Sequence, residues 1–80
     1  MKAIVTVRLK PGVLDPQGVT IANALSSMGY TGVRDVHSGK VFELSLEDGD
    51  IDAARRKAEE IADRLLANPV IETYTVEVCP

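Results

Sequence analysis

Apolar and polar side chains alternate over residues 2–10, at the start of the chain. A period of two is typical of a strand that is covered on one side only. Pro11 and Gly12 follow directly and predict the end of this strand. One face of the strand carries Ala3, Val5, Val7 and Leu9. The other face carries Ile4, Thr6, Arg8 and Lys10.

A helical period replaces the alternation after Leu14. Asp15 can accept hydrogen bonds from the free N–H groups of a first helical turn, and Pro16 has a φ suited to the next position. A helix is therefore predicted to begin here, and Gly29 is placed to end it. Its apolar stripe consists of Ile21, Ala22, Leu25 and Met28.

A hairpin is predicted in the middle of the chain. Residues 32–37 have the pattern of a short second strand, and Ser38 and Gly39 are typical of a tight turn. Residues 40–47 then form a third strand, whose apolar face carries Phe42, Leu44 and Leu46.

A second helix follows an acidic break, with Asp50 or Asp52 as its cap. It must stop near Ala67, because Pro69 lacks an N–H donor and disfavours helical dihedrals at the residue before it. Residues 70–78 alternate again and predict the last strand. The helix stripe is Ile51, Ala54, Ala58, Ile61, Ala62 and Leu65, and the strand's apolar side is Tyr74, Val76 and Val78.

The predicted order is β-α-β-β-α-β, which favours an α+β two-layer sandwich with both helices on one face of a four-stranded antiparallel sheet. With 80 residues, 45% of them hydrophobic, the chain has material for one core, so residues 1–80 form a single domain. The open face of the sheet would carry Ile4, Val41 and Ile71 among polar side chains. That mixture fits either an ordinary solvated surface or a subunit contact.

Composition excludes several classes of partner. A net charge of -3 and 4% aromatic residues argue against nucleic acid, which requires a basic face or stacking platforms. No apolar run approaches the roughly 20 residues of a membrane span, so a cytoplasmic protein without membrane contact is expected. A domain this small buries only roughly 60–65% of the surface that its unfolded chain exposes. It is therefore marginally stable alone, and self-association that would stabilise it is expected. Cys79 is the only cysteine, so one chain can form no disulfide.

No catalytic residue is predicted. His37 is the only histidine and adjoins Ser38, but neighbours on a strand point to opposite faces and cannot form a nucleophile and base pair. No metal site is predicted either. Asp48, Asp50 and Asp52 have a suggestive spacing, yet a calcium loop requires glycine where Ala53 stands.

The chain also lacks the residues that other functions of small two-layer sandwich folds require. The loop at residues 10–13 has no Cys-x-x-Cys of a metal chaperone, and the open face has no aromatic residue for RNA. A phosphate site at the first helix is disfavoured by the charge of Asp15. A binding or assembly module remains.

Three segments carry a resemblance that covers essentially the whole chain. They are residues 13–18, residues 36–40 with Glu43 and Leu44 after them, and residues 65–72. In this order and spacing they strongly resemble the PurS family, the small subunit of phosphoribosylformylglycinamidine synthase (FGAM synthase). His37 and Ser38 depart from it, because the family tends to have an arginine and an aliphatic residue there.

The resemblance implies a non-catalytic subunit in de novo purine biosynthesis. Such a subunit forms a homodimer or tetramer, bridges the PurL synthetase and the PurQ glutaminase, and supports ammonia transfer between them. It implies no cofactor on this chain, since ATP and magnesium are used by the synthetase. Cys79 and Pro80 lie outside the shared pattern.

Four residues are expected at or near a partner contact: Asp15 and Gln17 at the entry of the first helix, and Arg34 and Lys40 beside the predicted hairpin. An alternative function is a homodimeric ferredoxin-like domain that senses a small molecule such as an amino acid. A ligand would then raise the thermal midpoint of the isolated chain. A stand-alone hydrolase is a third class, which the lack of a catalytic group disfavours.

Overall fold

The computed structural model describes residues 1–80 and contains three strands and two α-helices. A π-helical segment, Ala62–Leu66, continues the second helix. The α+β class that the sequence pattern predicts is confirmed. The elements are β1 (Lys2–Leu9), α1 (Pro16–Ser27), β2 (Gly39–Ser45), α2 (Ile51–Ile61) and β3 (Glu72–Cys79).

The strand with the cleanest alternation, β1, lies at the centre of the sheet. The strand order is β2-β1-β3, and both neighbours run antiparallel to β1. Val5 is aligned with Phe42 on one side and with Val76 on the other. Because β1 is paired along both edges and covered on its inner face, Val5 and Val7 are the most deeply buried large side chains.

Helix α2 covers β1 and β3 through a stripe of alanines. Ala54, Ala58 and Ala62 are completely buried, and their small side chains let the helix backbone come close to the sheet. The carboxylate of Asp50 accepts a hydrogen bond from the N–H of Asp52 at 3.3 Å, which confirms a predicted cap.

The π-helical segment changes which side chains face the core. The N–H of Ala67 donates to the carbonyl of Ala62 at 2.8 Å, a bond that spans one residue more than an α-helical bond. The wider turn leaves Leu65 80% exposed, while Leu66 and Ala67 pack on the core. The predicted stripe is therefore wrong at Leu65, because a regular helical period does not continue to the end of the helix.

The last strand begins later than predicted. The side chain of Asn68 accepts a bond from the N–H of Val70 at 3.0 Å, and Glu72 accepts one from the N–H of Asn68 at 2.7 Å. These bonds form a turn around Pro69. Residues 68–71 therefore belong to the turn, and β3 starts at Glu72.

The predicted strand over residues 32–37 does not form, so the prediction of a four-stranded sheet is wrong for the single chain. Its reversal is also missing, because the chain passes through Ser38 and Gly39 without a turn. A two-residue type I′ turn requires positive φ at both central residues, and neither residue has it. Residues 33–38 instead lead directly into β2, with no backbone hydrogen bonds between main-chain groups.

Helix α1 ends near Gly29, as predicted, but it forms no packed interface with α2 or the sheet. The prediction that both helices lie on one face is therefore wrong for α1. The radius of gyration is 16.0 Å, compared with about 12 Å for a compact chain of this length. The protomer measures 49 × 26 × 14 Å, so it is elongated.

Candidate partner-binding site

The start of α1 is held by the side chain of Asp15. One carboxylate oxygen accepts the N–H of Gly18 at 2.9 Å, which is the bond expected of a helix cap. Pro16 occupies the first helical position, where its missing N–H costs nothing. Both features of the sequence prediction are confirmed.

The same carboxylate also binds Ser38, which is 23 residues away along the chain. The N–H of Ser38 donates to Asp15 at 2.7 Å, and the Ser38 hydroxyl lies 2.9 and 3.0 Å from the two carboxylate oxygens. The two chain segments that flank α1 are thereby joined. We call the group Asp15, Gly18, Val36 and Ser38 the Asp15 clasp.

Gly18 belongs to the clasp because the backbone approaches it closely. A Cβ atom at this position would overlap the carbonyl oxygen of Val36 and would also crowd the Asp15 carboxylate. Gly18 is the only buried residue of α1. The segment around Val36 can therefore lie directly against the first turn of the helix.

The clasp stabilises the ionised form of Asp15. The hydrogen bond from the N–H of Gly18, and then the one from the N–H of Ser38, lower the pKa of Asp15 below its ordinary value. The negative charge also lies at the N-terminus of a helix, where the backbone dipole favours it. Asp15 therefore serves as an ionised structural acceptor.

Two open clefts share the clasp as part of their walls. The first, of about 280 Å³, is lined by the basic side chains of Arg8 and Lys10 together with His37. The second, of about 510 Å³, is bounded by Arg34 and by apolar side chains from α1 and its flanking segments. The apolar lining comprises Val13, Leu14, Val19, Ala22 and Val36.

The structure separates the four residues that were expected at a partner contact. Asp15 is half-buried and its hydrogen bonds are all internal, while Arg34 is exposed at the second cleft. Gln17 and Lys40 are exposed and line neither cleft. The four do not bond to one another, so they form one region around the clasp and not a compact cluster.

Ser38 and His37 do not form a hydrogen-bonded pair in this region. The Ser38 hydroxyl is bonded to Asp15, and His37 is exposed and makes no hydrogen bond to it. No three side chains among His, Cys, Asp and Glu gather as metal ligands. Neither helix combines the length and apolar character that crossing a membrane requires. What the region offers is shape, a few basic groups and exposed apolar surface.

Sequence reasoning found the cap but missed the rest of the clasp. The bond between Asp15 and Ser38 has no local signal, because the two residues are far apart in the chain. Gly18 did carry a signal. A glycine in the first turns of a helix costs roughly 1 kcal/mol relative to alanine, so its presence points to a close backbone approach.

Comparison with known proteins places these features in a family. The family model PurS, described as phosphoribosylformylglycinamidine (FGAM) synthase, matches residues 2–80. The PurS subunit of Bacillus subtilis FGAM synthase is 48% identical over 79 residues, which are 96% of this chain and 90% of that protein. The Mycobacterium leprae PurS subunit is 47% identical over 75 residues, which are 94% and 91% of the two chains.

Solved structures share the fold at nearly full length. B. subtilis PurS superposes with a TM-score of 0.84 at 46% identity, covering 99% of this chain and 98% of that one. A chain in the structure of PurLQS from Thermotoga maritima gives a TM-score of 0.87 at 30% identity, with 95% and 93% covered. The likeness therefore extends over nearly the whole chain.

Proposed function

The chain belongs to the PurS family, and on that premise we propose that it is the small, non-catalytic subunit of FGAM synthase in de novo purine biosynthesis. The observation that carries the proposal is the near full-length likeness to a chain of the T. maritima PurLQS assembly. A chain without a nucleophile and base pair or a metal-ligand cluster fits a subunit that works by assembly.

The proposed partners are the PurL synthetase and the PurQ glutaminase, in the cytoplasm. The subunit bridges them, so that ammonia released from glutamine reaches the synthetase. ATP and magnesium belong to the synthetase in this proposal, and this chain binds no cofactor. The elongated shape supports a bridging role, because one protomer reaches 49 Å and can contact two proteins at once.

The proposal includes self-association as a homodimer or tetramer. Several large apolar side chains on and around α1 are exposed in the single chain, which is unfavourable in water. A compact 80-residue domain is also only marginally stable alone. Association that covers these side chains would stabilise the protein.

We place the contact with the larger subunits around the clasp, with Gln17, Arg34 and Lys40 on the surface. Asp15 acts indirectly, because its hydrogen bonds with Ser38 hold in place the segment that carries Arg34 and Lys40. The basic side chains suit carboxylates on a partner, and neither forms an ion pair within this chain.

Assembly on a sizing column tests this contact. Arg34→Ala and Lys40→Ala together are expected to weaken co-elution with cognate PurL and PurQ at least about tenfold, a typical loss at an important contact. Arg56→Ala is the control, since Arg56 is exposed on α2 and makes no ion pair or hydrogen bond. Equal co-elution of the double variant, the control and the original chain would contradict the contact.

A further inference from the structure

The cleft of about 280 Å³ beside the clasp is lined by basic side chains from three separate parts of the chain. Arg8 lies on β1, Lys10 in the loop that follows it, and His37 in the segment that leads into β2. The side chains of Arg8 and His37 form no ion pair or hydrogen bond within the chain. Lys10 donates one N–H to the carbonyl of Pro69 at 2.8 Å and keeps its others free. We call this the basic cleft.

The positive charge of the basic cleft has no neighbouring carboxylate to balance it, although the chain has a net charge of -3. Gly39 and Thr73 are aligned with Arg8 in the two neighbouring strands, and neither is charged. At the other end of β1, by contrast, Lys2 forms an ion pair with Glu43 at 2.8 Å. A cleft lined by uncompensated charge of one sign concentrates ions of the opposite sign.

Asp15 is the one carboxylate in the wall of the basic cleft. Both of its oxygens already accept hydrogen bonds, from Gly18 and Ser38. Its charge disfavours an anion at the N-terminus of α1, but the cations of the cleft come from β1 and the loop after it. Arg8 and Lys10 together outweigh this single negative charge, so the cleft has a net positive charge.

The basic cleft also contains free main-chain donors. The N–H groups of Gly12 and His37, which both line it, donate no hydrogen bond within the chain. Free backbone N–H groups beside basic side chains are typical of anion sites. The volume lies just below the roughly 300–1,000 Å³ of pockets for drug-sized ligands, so the cleft suits a small anion.

Three threonine hydroxyls continue this polar surface onto the open face of the sheet. Thr6, Thr73 and Thr75 line a hollow of about 360 Å³, and Arg8 lines both this hollow and the basic cleft. None of the three hydroxyls forms a hydrogen bond within the chain. Because a hydroxyl both donates and accepts, these groups suit the hydroxyls of a sugar.

We propose that the basic cleft binds the phosphate of a sugar phosphate, whose hydroxyl groups lie along the three threonines. A phosphate monoester has three strong acceptor oxygens and a charge close to -2 at neutral pH. Arg8, Lys10 and His37 approach the cleft from three segments and can each donate to one of those oxygens. A single carboxylate has only two oxygens and one charge, so it satisfies fewer of these donors. The site is independent of the assembly role proposed above.

Amide NMR spectra of the isolated chain test the class of ligand. The chain is titrated at constant ionic strength with inorganic phosphate, ribose 5-phosphate and succinate, so that general charge screening stays the same. Both phosphates are expected to give saturable shifts at the amides of Gly12 and His37, with ribose 5-phosphate binding more tightly. Succinate, a dianion of two carboxylates, should bind more weakly than either. No saturable shift with either phosphate, or equal affinity for succinate, would overturn the proposal.

Two matched arginine variants test the location of the site. Arg8→Gln removes a proposed phosphate ligand, whereas Arg56→Gln removes the same charge from the exposed side of α2. We expect Arg8→Gln to weaken phosphate binding at least about tenfold, the usual loss for a hydrogen bond to a charged group, and Arg56→Gln to bind as the original chain does. His37→Gln, outside all helices and strands, should also weaken binding. Equal affinities of the three variants would overturn the site.

Thr73→Val separates the sugar contact from the phosphate contact. Valine suits a strand as well as threonine does, but it lacks the hydroxyl. We expect binding of ribose 5-phosphate to weaken about fivefold, as for one neutral hydrogen bond, and binding of inorganic phosphate to stay the same. Equal effects on the two ligands would contradict the placement of the sugar. Because these measurements include neither PurL nor PurQ, their failure is distinct from failure of the proposed bridging function.

Discussion

The Asp15 carboxylate accepts hydrogen bonds from both the N–H and the hydroxyl of Ser38, at distances of 2.7 to 3.0 Å. This one relationship joins the entry of α1 to the segment that enters β2. It explains how a helix without tertiary packing keeps a defined position. The motif around Asp15 and Pro16 thus does more than start a helix.

Removing the carboxylate tests the clasp. Asp15→Ala loses the cap and leaves the N–H of Ser38 without its acceptor, so the free energy of unfolding should fall measurably. Denaturant unfolding followed by circular dichroism measures the change. Asp35→Ala is the control, because Asp35 is exposed and makes no hydrogen bond or ion pair, and a loss of equal size there would contradict the account.

The Gly18→Ala substitution tests whether steric overlap with Val36 outweighs the higher helix propensity of alanine. Alanine is the better helix former by roughly 1 kcal/mol, but its Cβ would overlap the carbonyl oxygen of Val36. We expect a net destabilisation of about 2 kcal/mol in denaturant unfolding, since the backbone must shift. Asn23→Ala, on the exposed side of α1, should be neutral or slightly stabilising. A more stable Gly18→Ala protein would show that Val36 does not lie against the helix.

The ionised form of Asp15 predicts a dependence of stability on acid. Because folding lowers the pKa of Asp15, its contribution is fully present above the unfolded carboxyl pKa of about 3.9 and is lost as the pH falls through the lower folded pKa. Unfolding midpoints measured from pH 7 down to pH 2 should therefore drop less steeply in Asp15→Asn than in the original chain. Asp35→Asn should keep the original slope. Identical slopes in all three proteins would exclude Asp15 as a source of the acid sensitivity.

The π-helical segment makes opposite predictions for two adjacent leucines. Leu66→Ala removes contacts with the core and should cost about 2 kcal/mol of unfolding free energy. Leu65→Ala should cost less than about 0.5 kcal/mol, because that side chain is 80% exposed. Thermal and denaturant unfolding of the two variants compare them directly. The reverse order would mean that a regular α-helix continues through Leu65.

The parts of the fold that the sequence predicts are those with local causes. The alternation around Val5 and Val7 predicts the central strand, and the alanine spacing predicts α2, because each pattern reports which side chains face the core. The position of α1 has no such local cause. It depends on the hydrogen bonds between Ser38 and Asp15, and this contact leaves no periodic pattern in the sequence.

The candidate site was predictable in part for the same reason. Asp15 and Pro16 identify the helix start from their own chemistry, whereas Val36 enters the clasp only through its main-chain carbonyl, which any residue has. Arg34, Gln17 and Lys40 are exposed side chains, and in our proposal their partners lie outside the chain. Their roles depend on complementary groups that the protomer does not contain.

Glutamine-dependent synthesis in a reconstituted assembly is the most direct test of the assigned role. Cognate PurL and PurQ, ATP, magnesium, formylglycinamide ribonucleotide and glutamine are combined with and without this chain, and product formation is measured. We predict that glutamine-dependent synthesis requires the chain, while synthesis from added ammonia by PurL does not. An equal glutamine-dependent rate without the chain would contradict its role as the bridging subunit.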